Sequence, residues 1–340
     1  MTDAADQRPR RLLSIGTDRS IFEEGSAVRL RQIEYAKKWD EVHIVVFAGR
    51  DFTEQQISAD CFIYPTRSGS KPLYPLGAMK LGRSIIRSRG ITDITCQDAS
   101  FTAMAGAYLA KRFGLPFEIQ VHEDIGSPRY AFNMKNRIRK ALAARYVRRA
   151  DTIRVVSERI KRYLVGALGV EERKITVRPI VVDTGLIRAA PVIPSADLRK
   201  KYPQFQKIVL MASRLEPEKN ILLAIASWPE VMKRFPGAGL VIVGRGSERP
   251  ELEAAVSRSD LALAIVFEDW ADKATLYSYY KTADLFLNTS IFEGYGMALV
   301  EALAAGCKAV STDVGAARES GAIMTEPDPQ DVAKTLIRAL

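Results

Sequence analysis

From Ser290 to Glu301 the chain reads Ser-Ile-Phe-Glu293-Gly294-Tyr295-Gly296-Met-Ala-Leu-Val-Glu301. An apolar strand-like run ends in polar residues, two glycines follow, and a helix-like run begins. Gly294 and Gly296 let the backbone approach a ligand closely, and the free N–H groups at a helix start form a site for phosphate. Glu293 precedes that helix and Glu301 lies more than a turn inside it. A carboxylate so placed accepts hydrogen bonds from paired hydroxyls, as on a ribose or a hexose. The plainer reading is a strand-turn-helix unit whose glutamates face solvent. His122, one of two histidines, follows the apolar run Phe117–Val121 and opens the loop His-Glu-Asp-Ile-Gly-Ser-Pro. Sites form at such strand ends, whereas His43 begins a strand and reads as structural. Gly244-Arg-Gly246 resembles the start of a dinucleotide fingerprint. No third glycine follows at the needed spacing, so nicotinamide binding is not expected. The chain has no Walker loop, no zinc-protease motif and no D-x-D.

The elements around these residues alternate. Strands are expected at Arg11–Gly16, Val42–Ala48, Ile91–Cys96, Phe117–Val121, Ile153–Val156 and Ile175–Val177, with helices near 26–38, 74–87, 100–113 and 132–149. A helix of about ten residues separates the last two strands. After a stretch rich in loop signals, 178–194, the rhythm restarts. Strands are expected at 207–211, 240–243, 265–267, 285–288 and 309–312, with helices near 220–235, 248–258, 273–282 and 297–305. Strand-helix alternation means a parallel sheet covered on both faces. The expectation is α/β architecture: two doubly wound, Rossmann-like domains, 1–185 and 186–340, facing each other across a cleft. Ligands of such sheets bind beyond the carboxyl ends of the strands.

The 340 residues suit two such domains, and 47% hydrophobic content with a mean hydropathy of −0.07 describes a globular chain. No apolar run approaches the ~20 residues that cross a bilayer. The N-terminus MTDAADQRPRRLL lacks the apolar stretch of a signal peptide. Cys61, Cys96 and Cys307 have no metal-binding or disulfide spacing, so a reducing, cytoplasmic setting is expected. Charge is uneven. Residues 1–190 carry 33 basic and 21 acidic side chains, whereas 191–340 carry 17 and 19. Arg129–Arg162 alone holds 12 basic and 2 acidic residues. That segment reads either as a solvated helix face or as a surface for something anionic, a lipid headgroup layer or a phosphorylated acceptor. Within it Met134, Ile138, Leu142 and Tyr146 form one helical stripe, expected to pack inward and leave Lys135, Arg139, Arg145 and Arg149 outside. Nucleic-acid binding is not expected, since no recognition motif and no aromatics for base stacking are present.

The Glu293–Glu301 segment resembles the E-x7-E motif of the retaining family-4 glycosyltransferases, which have the GT-B fold. Other segments resemble that family in the right order. They are Asp151-Thr-Ile-Arg-Val-Val-Ser157-Glu158, Ala212-Ser-Arg214-Leu-Glu-Pro-Glu-Lys219-Asn, Val241-Ile-Val-Gly244-Arg-Gly246 and Thr282-Ala-Asp284-Leu-Phe-Leu-Asn. The resemblance implies transfer of a hexose from a nucleoside diphosphate sugar, with retention and without a metal or other cofactor. It implies that Arg214 and Lys219 clamp the donor diphosphate, where fixed cations stabilise the charge gained by the leaving group. It places Glu301 on the donor ribose, Glu293 on the transferred sugar and His122 in the active site. Gly16, Gly244, Gly294, Tyr295 and Gly296 would border the donor. The implied acceptor is a polysaccharide or glycolipid precursor, reached in the cytoplasm or on the inner face of an anionic membrane through 129–162. Departures from the pattern are the loop after Gly16, Thr289 and Lys308 in place of prolines, and a chain that stops before the family's last crossover helix. Two rivals stay open: a catalytically silent GT-B binding or assembly protein, and a nucleotide-sugar epimerase of the same fold.

Overall fold

The computed structural model describes residues 9–340. The reading of the N-terminus rests mostly on residues outside that range. The chain divides between Arg178 and Pro179 into two compact units, inside the loop-rich stretch.

The first unit runs β1 (Arg11–Gly16), α1 (Ala27–Ala36), β2 (Glu41–Val46), β3 (Gln55–Ser58), β4 (Cys61–Pro65), α2 (Tyr74–Arg89), β5 (Asp93–Cys96), α3 (Phe101–Phe113), β6 (Phe117–Val121), α4 (Met134–Val147), β7 (Thr152–Val155), α5 (Glu158–Gly166) and β8 (Ile175–Val177). Its eight strands lie in the order β3-β4-β2-β1-β5-β6-β7-β8, and all pair in parallel except the hairpin β3–β4. The second unit runs α6 (Thr184–Ala189), α7 (Leu198–Lys201), β9 (Lys207–Ala212), α8 (Ile221–Arg234), β10 (Ala238–Val243), α9 (Arg249–Arg258), β11 (Ile265–Glu268), α10 (Lys273–Thr282), β12 (Leu285–Asn288), α11 (Met297–Ala304), β13 (Lys308–Ser311), β14 (Ile323–Met324) and α12 (Pro329–Ala339). Its six strands are all parallel, in the order β11-β10-β9-β12-β13-β14.

The second sheet shows why its strands read as continuous apolar runs. Along β9, Val209 and Met211 enter one core, with Trp228 of α8 and Leu336 of α12. Ile208, Leu210 and Ala212 enter the other, with Tyr280 of α10 and Leu299 of α11. Both faces are covered, so both sets of alternating side chains are buried. Strand order fixes where a ligand can sit. In each sheet the winding direction reverses once, between β1 and β5 and between β9 and β12. The loops leaving those strands diverge and open a crevice at the carboxyl edge.

Helix α4 corrects the sequence expectation. Its inward face carries Asn136, Ala143, Tyr146 and Val147, while Met134 is 67% and Ile138 47% exposed. Polar anchors set this register. Asn136 donates to the Tyr130 carbonyl at 2.8 Å, and Arg139, expected outside, turns inward to Glu123 at 2.8 Å. At 100° per residue Met134 and Ile138 then fall opposite Asn136. The hairpin β3–β4, the short β14 and the helices α6 and α7 are further elements that the sequence periodicity did not reveal.

One glycine is demanded by sheet geometry. Gly244 ends β10 at φ +148°, and a Cβ there would meet the Ser213 carbonyl oxygen at 1.8 Å. Gly244→Ala is expected to cost on the order of 3 kcal/mol through overlap and backbone strain. That corresponds to a drop of roughly 5–10 °C in the Tm of the domain. Thermal unfolding with an unchanged Tm would refute the packing argument.

Candidate active site

In the second domain the loop after β9 and the loop after β12 flank the reversal of the sheet. They carry most of the expected site residues. Lys219 ends the tight turn Pro217–Lys219, and Asn220 follows in the left-handed conformation at φ 48°. The ammonium of Lys219 meets the Glu293 carboxylate at 2.5 Å, with both side chains mostly buried. Ser290 Oγ donates to the same carboxylate oxygen at 2.8 Å. The backbones are stitched as well. Thr289 Oγ1 donates to the carbonyls of Lys219 and Asn220 at 3.1 and 3.0 Å, and the Ile291 N–H donates to the Glu218 carbonyl at 2.7 Å. Thr289 is therefore more than a turn variant: its hydroxyl ties the two loops.

Arg214 extends from the end of β9 and is largely exposed, paired with Glu218 at 2.7 Å. Gly296 begins α11 in the left-handed conformation at φ 88°, and no side chain caps the helix. The first amides of α11 thus remain available for an anion. Gly294 and Tyr295 lie in the half-buried loop before it. The Tyr295 carbonyl accepts the Ala316 N–H at 2.9 Å. Gly315, at φ 53°, permits that approach, because a Cβ there would meet the same carbonyl at 2.6 Å.

Arg214, Gly244 and Glu301 line one cavity of about 400 Å³ at the carboxyl ends of β9, β10 and β11. Burial raises the Glu301 carboxyl above the usual range, and nearby Lys273 pulls the other way. Two lining residues went unread in the sequence. Tyr280 is wholly buried, and its hydroxyl lies near the Glu301 carboxylate but off the geometry of a hydrogen bond. Trp270, at the mouth, is 67% exposed. Glu301 and Met297 also border a second, largely apolar cavity of about 460 Å³ beside α6.

Gly16 and His122 belong to the first domain. Gly16 ends β1 beneath Gln97, whose amide oxygen would lie 2.4 Å from a Cβ at that position. Beside it is a cavity of about 120 Å³ at the β1–β5 reversal, lined by Thr17, Gln97, Asp98 and His122. Its wall is braced by ion pairs. Arg139 holds Glu123, and Arg159 holds buried Asp124 at 3.0 Å. His122 Nε2 lies 3.3 Å from Gln120 Oε1. Burial, reinforced by Arg154, lowers its pKa to about 4, so the ring is neutral at pH 7.

This depressed pKa has a stability consequence. Between about pH 4 and 6.5 the unfolded chain binds a proton at His122 that the folded domain refuses, so stability falls as pH falls through that window. The loss is on the order of 3 kcal/mol, since each tenfold difference in proton affinity is worth about 1.4 kcal/mol. Denaturant melts from pH 7 to 4.5 should show a shallower decline for His122→Gln than for the parent. Parallel declines would refute a neutral buried imidazole.

Comparison with known proteins matches this architecture. Residues 33–186 match the model of Glycosyltransferase Family 4, and residues 206–340 match that of Glycosyl transferases group 1. The chain is 26% identical over 274 residues to a component of the phosphatidylinositol N-acetylglucosaminyltransferase of Arabidopsis thaliana, covering 78% of this chain and 58% of that protein. It is 32% identical over 193 residues to the phosphatidyl-myo-inositol mannosyltransferase of Mycolicibacterium smegmatis, covering 54% and 47%. The chain thus spans about half the length of the curated relatives it matches. Among solved structures, sucrose-phosphate synthase of Thermosynechococcus elongatus superposes with a TM-score of 0.77 at 17% identity, covering 97% of this chain and 89% of that one. Anabaena HepE in complex with UDP and glucose superposes with a TM-score of 0.71 at 20% identity, covering 96% and 89%. Likeness at that identity speaks for fold alone. The first match covers most of the first domain and runs past its boundary to residue 186, the second lies within the second domain, and together with the fold they support a GT-B glycosyltransferase of the family-4 type.

Proposed function

We propose that this chain transfers a hexose from a nucleoside diphosphate sugar to an acceptor with retention of configuration, in cell-surface polysaccharide or glycolipid synthesis. One observation carries the reading. Arg214, Lys219 and the uncapped start of α11 converge where the second sheet reverses, with Glu301 on the wall beside them. As the bond from the anomeric carbon to the β-phosphate oxygen breaks, its electron pair stays on the diphosphate. Two fixed cations and a helix start can hold that charge, so no metal is assigned. Among the described residues no group of three His, Cys, Asp or Glu side chains is placed to hold one. The reading gives Glu301 the ribose hydroxyls and Glu293 the transferred sugar. Gly16, Gly244, Gly294, Tyr295 and Gly296 provide close approach to the donor, and His122 is the first domain's catalytic side chain.

The acceptor is assigned as lipid-linked, at an anionic membrane on the cytoplasmic side. The names of the Arabidopsis and Mycolicibacterium relatives, which include phosphatidylinositol and phosphatidyl-myo-inositol, support this. So does the surface of the first domain. Helices α2, α3 and α4 lie side by side, and in a parallel sheet such helices begin at the same carboxyl edge. Exposed Leu73 and Leu76 mark the start of α2; exposed Phe132, Met134 and Ile138 mark the start of α4. Residues 61–92 contain six basic and no acidic side chains. On α4, Lys135, Arg137 and Arg145 stay exposed. Apolar tips among cations suit a headgroup layer, at ~1 kcal/mol per basic residue near the surface. Among the described residues no helix is long and apolar enough to cross a membrane.

Arg214→Ala and Lys219→Ala are each expected to lower turnover by on the order of 10²–10³ with folding intact, the usual cost of one charge-stabilising donor. The parent rate should be unchanged by EDTA. Near-normal rates in both variants, or chelation loss restored by manganese or magnesium, would overturn the assignment. Absence of any donor turnover would favour a silent binding protein.

Co-sedimentation with phosphatidylglycerol vesicles should exceed that with neutral vesicles and weaken with salt. Met134→Ser/Ile138→Ser should reduce it several-fold. Equal, salt-independent binding to both vesicle types would leave this face as plain solvated surface.

A further inference from the structure

One face of the first sheet carries a line of polar side chains. Glu118 and Gln120 alternate to the same side along β6, and His122 follows just past its end. Thr95 of β5 stands beside Glu118 in the register of the two strands. Thr95 and Gln120 are buried, at 2% and 7% exposure. Buried polar groups need partners, and their hydrogen bonds have a direction. An ionised carboxylate only accepts. Glu118 Oε1 takes the Thr95 hydroxyl at 2.8 Å, so the Thr95 oxygen is free to accept in turn, and it takes Gln120 Nε2 at 3.0 Å. The same Nε2 lies 3.5 Å from Glu118 Oε1. With its NH2 group turned to those two oxygens, Gln120 presents its amide oxygen to His122, 3.3 Å from Nε2. An amide oxygen only accepts, so Nε2 carries the proton. Burial and Arg154, the register partner of Gln120 on β7, keep the ring neutral at pH 7. A neutral imidazole has one N–H, and Gln120 takes it. Nδ1 keeps its lone pair, and among the described residues nothing donates to it.

We infer that Gln120, aligned by Thr95 and Glu118, is a positioning residue that fixes His122 as the Nε2–H tautomer, so that the ring meets a ligand hydroxyl in the first domain's cavity through Nδ1, as an acceptor. This rests on the reading of His122 as an active-site side chain. It adds which nitrogen faces the ligand and which residues decide that. The opposite tautomer would make Nδ1 a donor and leave the Gln120 amide oxygen against a second lone pair.

Nitrogen NMR of the full chain, labelled with ¹⁵N at histidine only, tests it. The chain has two histidines, and the ring signals missing from His122→Gln belong to His122. At pH 7 the parent should show a protonated Nε2 and a bare Nδ1. Gln120→Leu should mix the two tautomers, whereas Gln120→Glu should keep the Nε2–H form, since a carboxylate also only accepts. Gln120→Leu should also lower kcat on UDP-glucose or GDP-mannose, whichever the parent uses, by about 10- to 100-fold, the range seen when a partner that orients a metal-bound histidine is removed. Its affinity for UDP or GDP, set in the other domain, should stay at the parent's. A parent ring with its proton on Nδ1, or shared between the nitrogens, overturns the inference and leaves the place of His122 in the site standing. An unchanged tautomer in Gln120→Leu overturns it too, by showing that Gln120 does not set the proton. Full turnover in His122→Gln defeats the active-site reading of His122, and this inference falls with it.

Discussion

The contact between Lys219 and Glu293 is what the second domain's site is built around. An ammonium and a carboxylate are held mostly out of water at 2.5 Å. Desolvating either alone would be expensive, so each needs the other while no ligand is present. The pair spans the sheet's reversal, from the loop after β9 to the loop after β12. Thr289 and Ile291 bond across the same gap to the backbone of 218–220, so side chains and main chain enforce one geometry. Under the proposed role of Lys219, an incoming diphosphate would share the ammonium with Glu293 or displace it. Displacement would free Glu293 for a sugar hydroxyl, so on that proposal phosphate binding and sugar recognition would be coupled. Arg214 has the looser counterpart: its own side chain is largely exposed, although its partner Glu218 is mostly buried.

Parallel sheets explain why the chemistry gathers where it does. Every strand delivers its carboxyl end to one edge, and every following helix starts there with unpaired amides. The two domains use this edge differently. The second surrounds its reversal with cations, a helix start and a buried carboxylate. The first surrounds its own with a neutral histidine, amides, hydroxyls and the Asp98 carboxylate, and locks the carboxylates of Glu123 and Asp124 to Arg139 and Arg159. The cationic edge suits a phosphorylated ligand, and the edge with amides, hydroxyls and the Asp98 carboxylate suits hydroxyl groups.

Much of this was legible in the residues. The strands of both sheets announced themselves because both faces are buried and their sequences are continuously apolar. The glutamates, glycines, Arg214 and Lys219 stand out as candidates because they lie in the loops after such strands or, for Glu301, on the helix that follows. What stayed hidden lacked periodicity. Gln55–Ser58 is a polar edge strand with one neighbour, so nothing in its sequence alternates. Trp270 and Tyr280 are single aromatics in segments rich in them, and only their position on a cavity distinguishes them. Glu218 and Thr289 are ordinary until the two loops are seen side by side.

Helix α4 shows how an apolar stripe can mislead. Met134, Ile138, Leu142 and Tyr146 repeat every four residues, and hydrophobic spacing alone turns them inward. Two polar contacts outweigh it. Asn136 supplies a buried donor for the Tyr130 carbonyl, and Arg139 supplies the counter-charge for Glu123. An unmet buried carbonyl costs as much as an apolar side chain left in water, or more, and the half-exposed Glu123 adds a smaller pull through its ion pair. The helix therefore rotates to satisfy the polar groups. Those partners sit in the loop that follows His122, so the same rotation that exposes Met134 and Ile138 also fixes the wall of the first domain's cavity. The apolar surface outside and the ordered polar site inside are two consequences of one register.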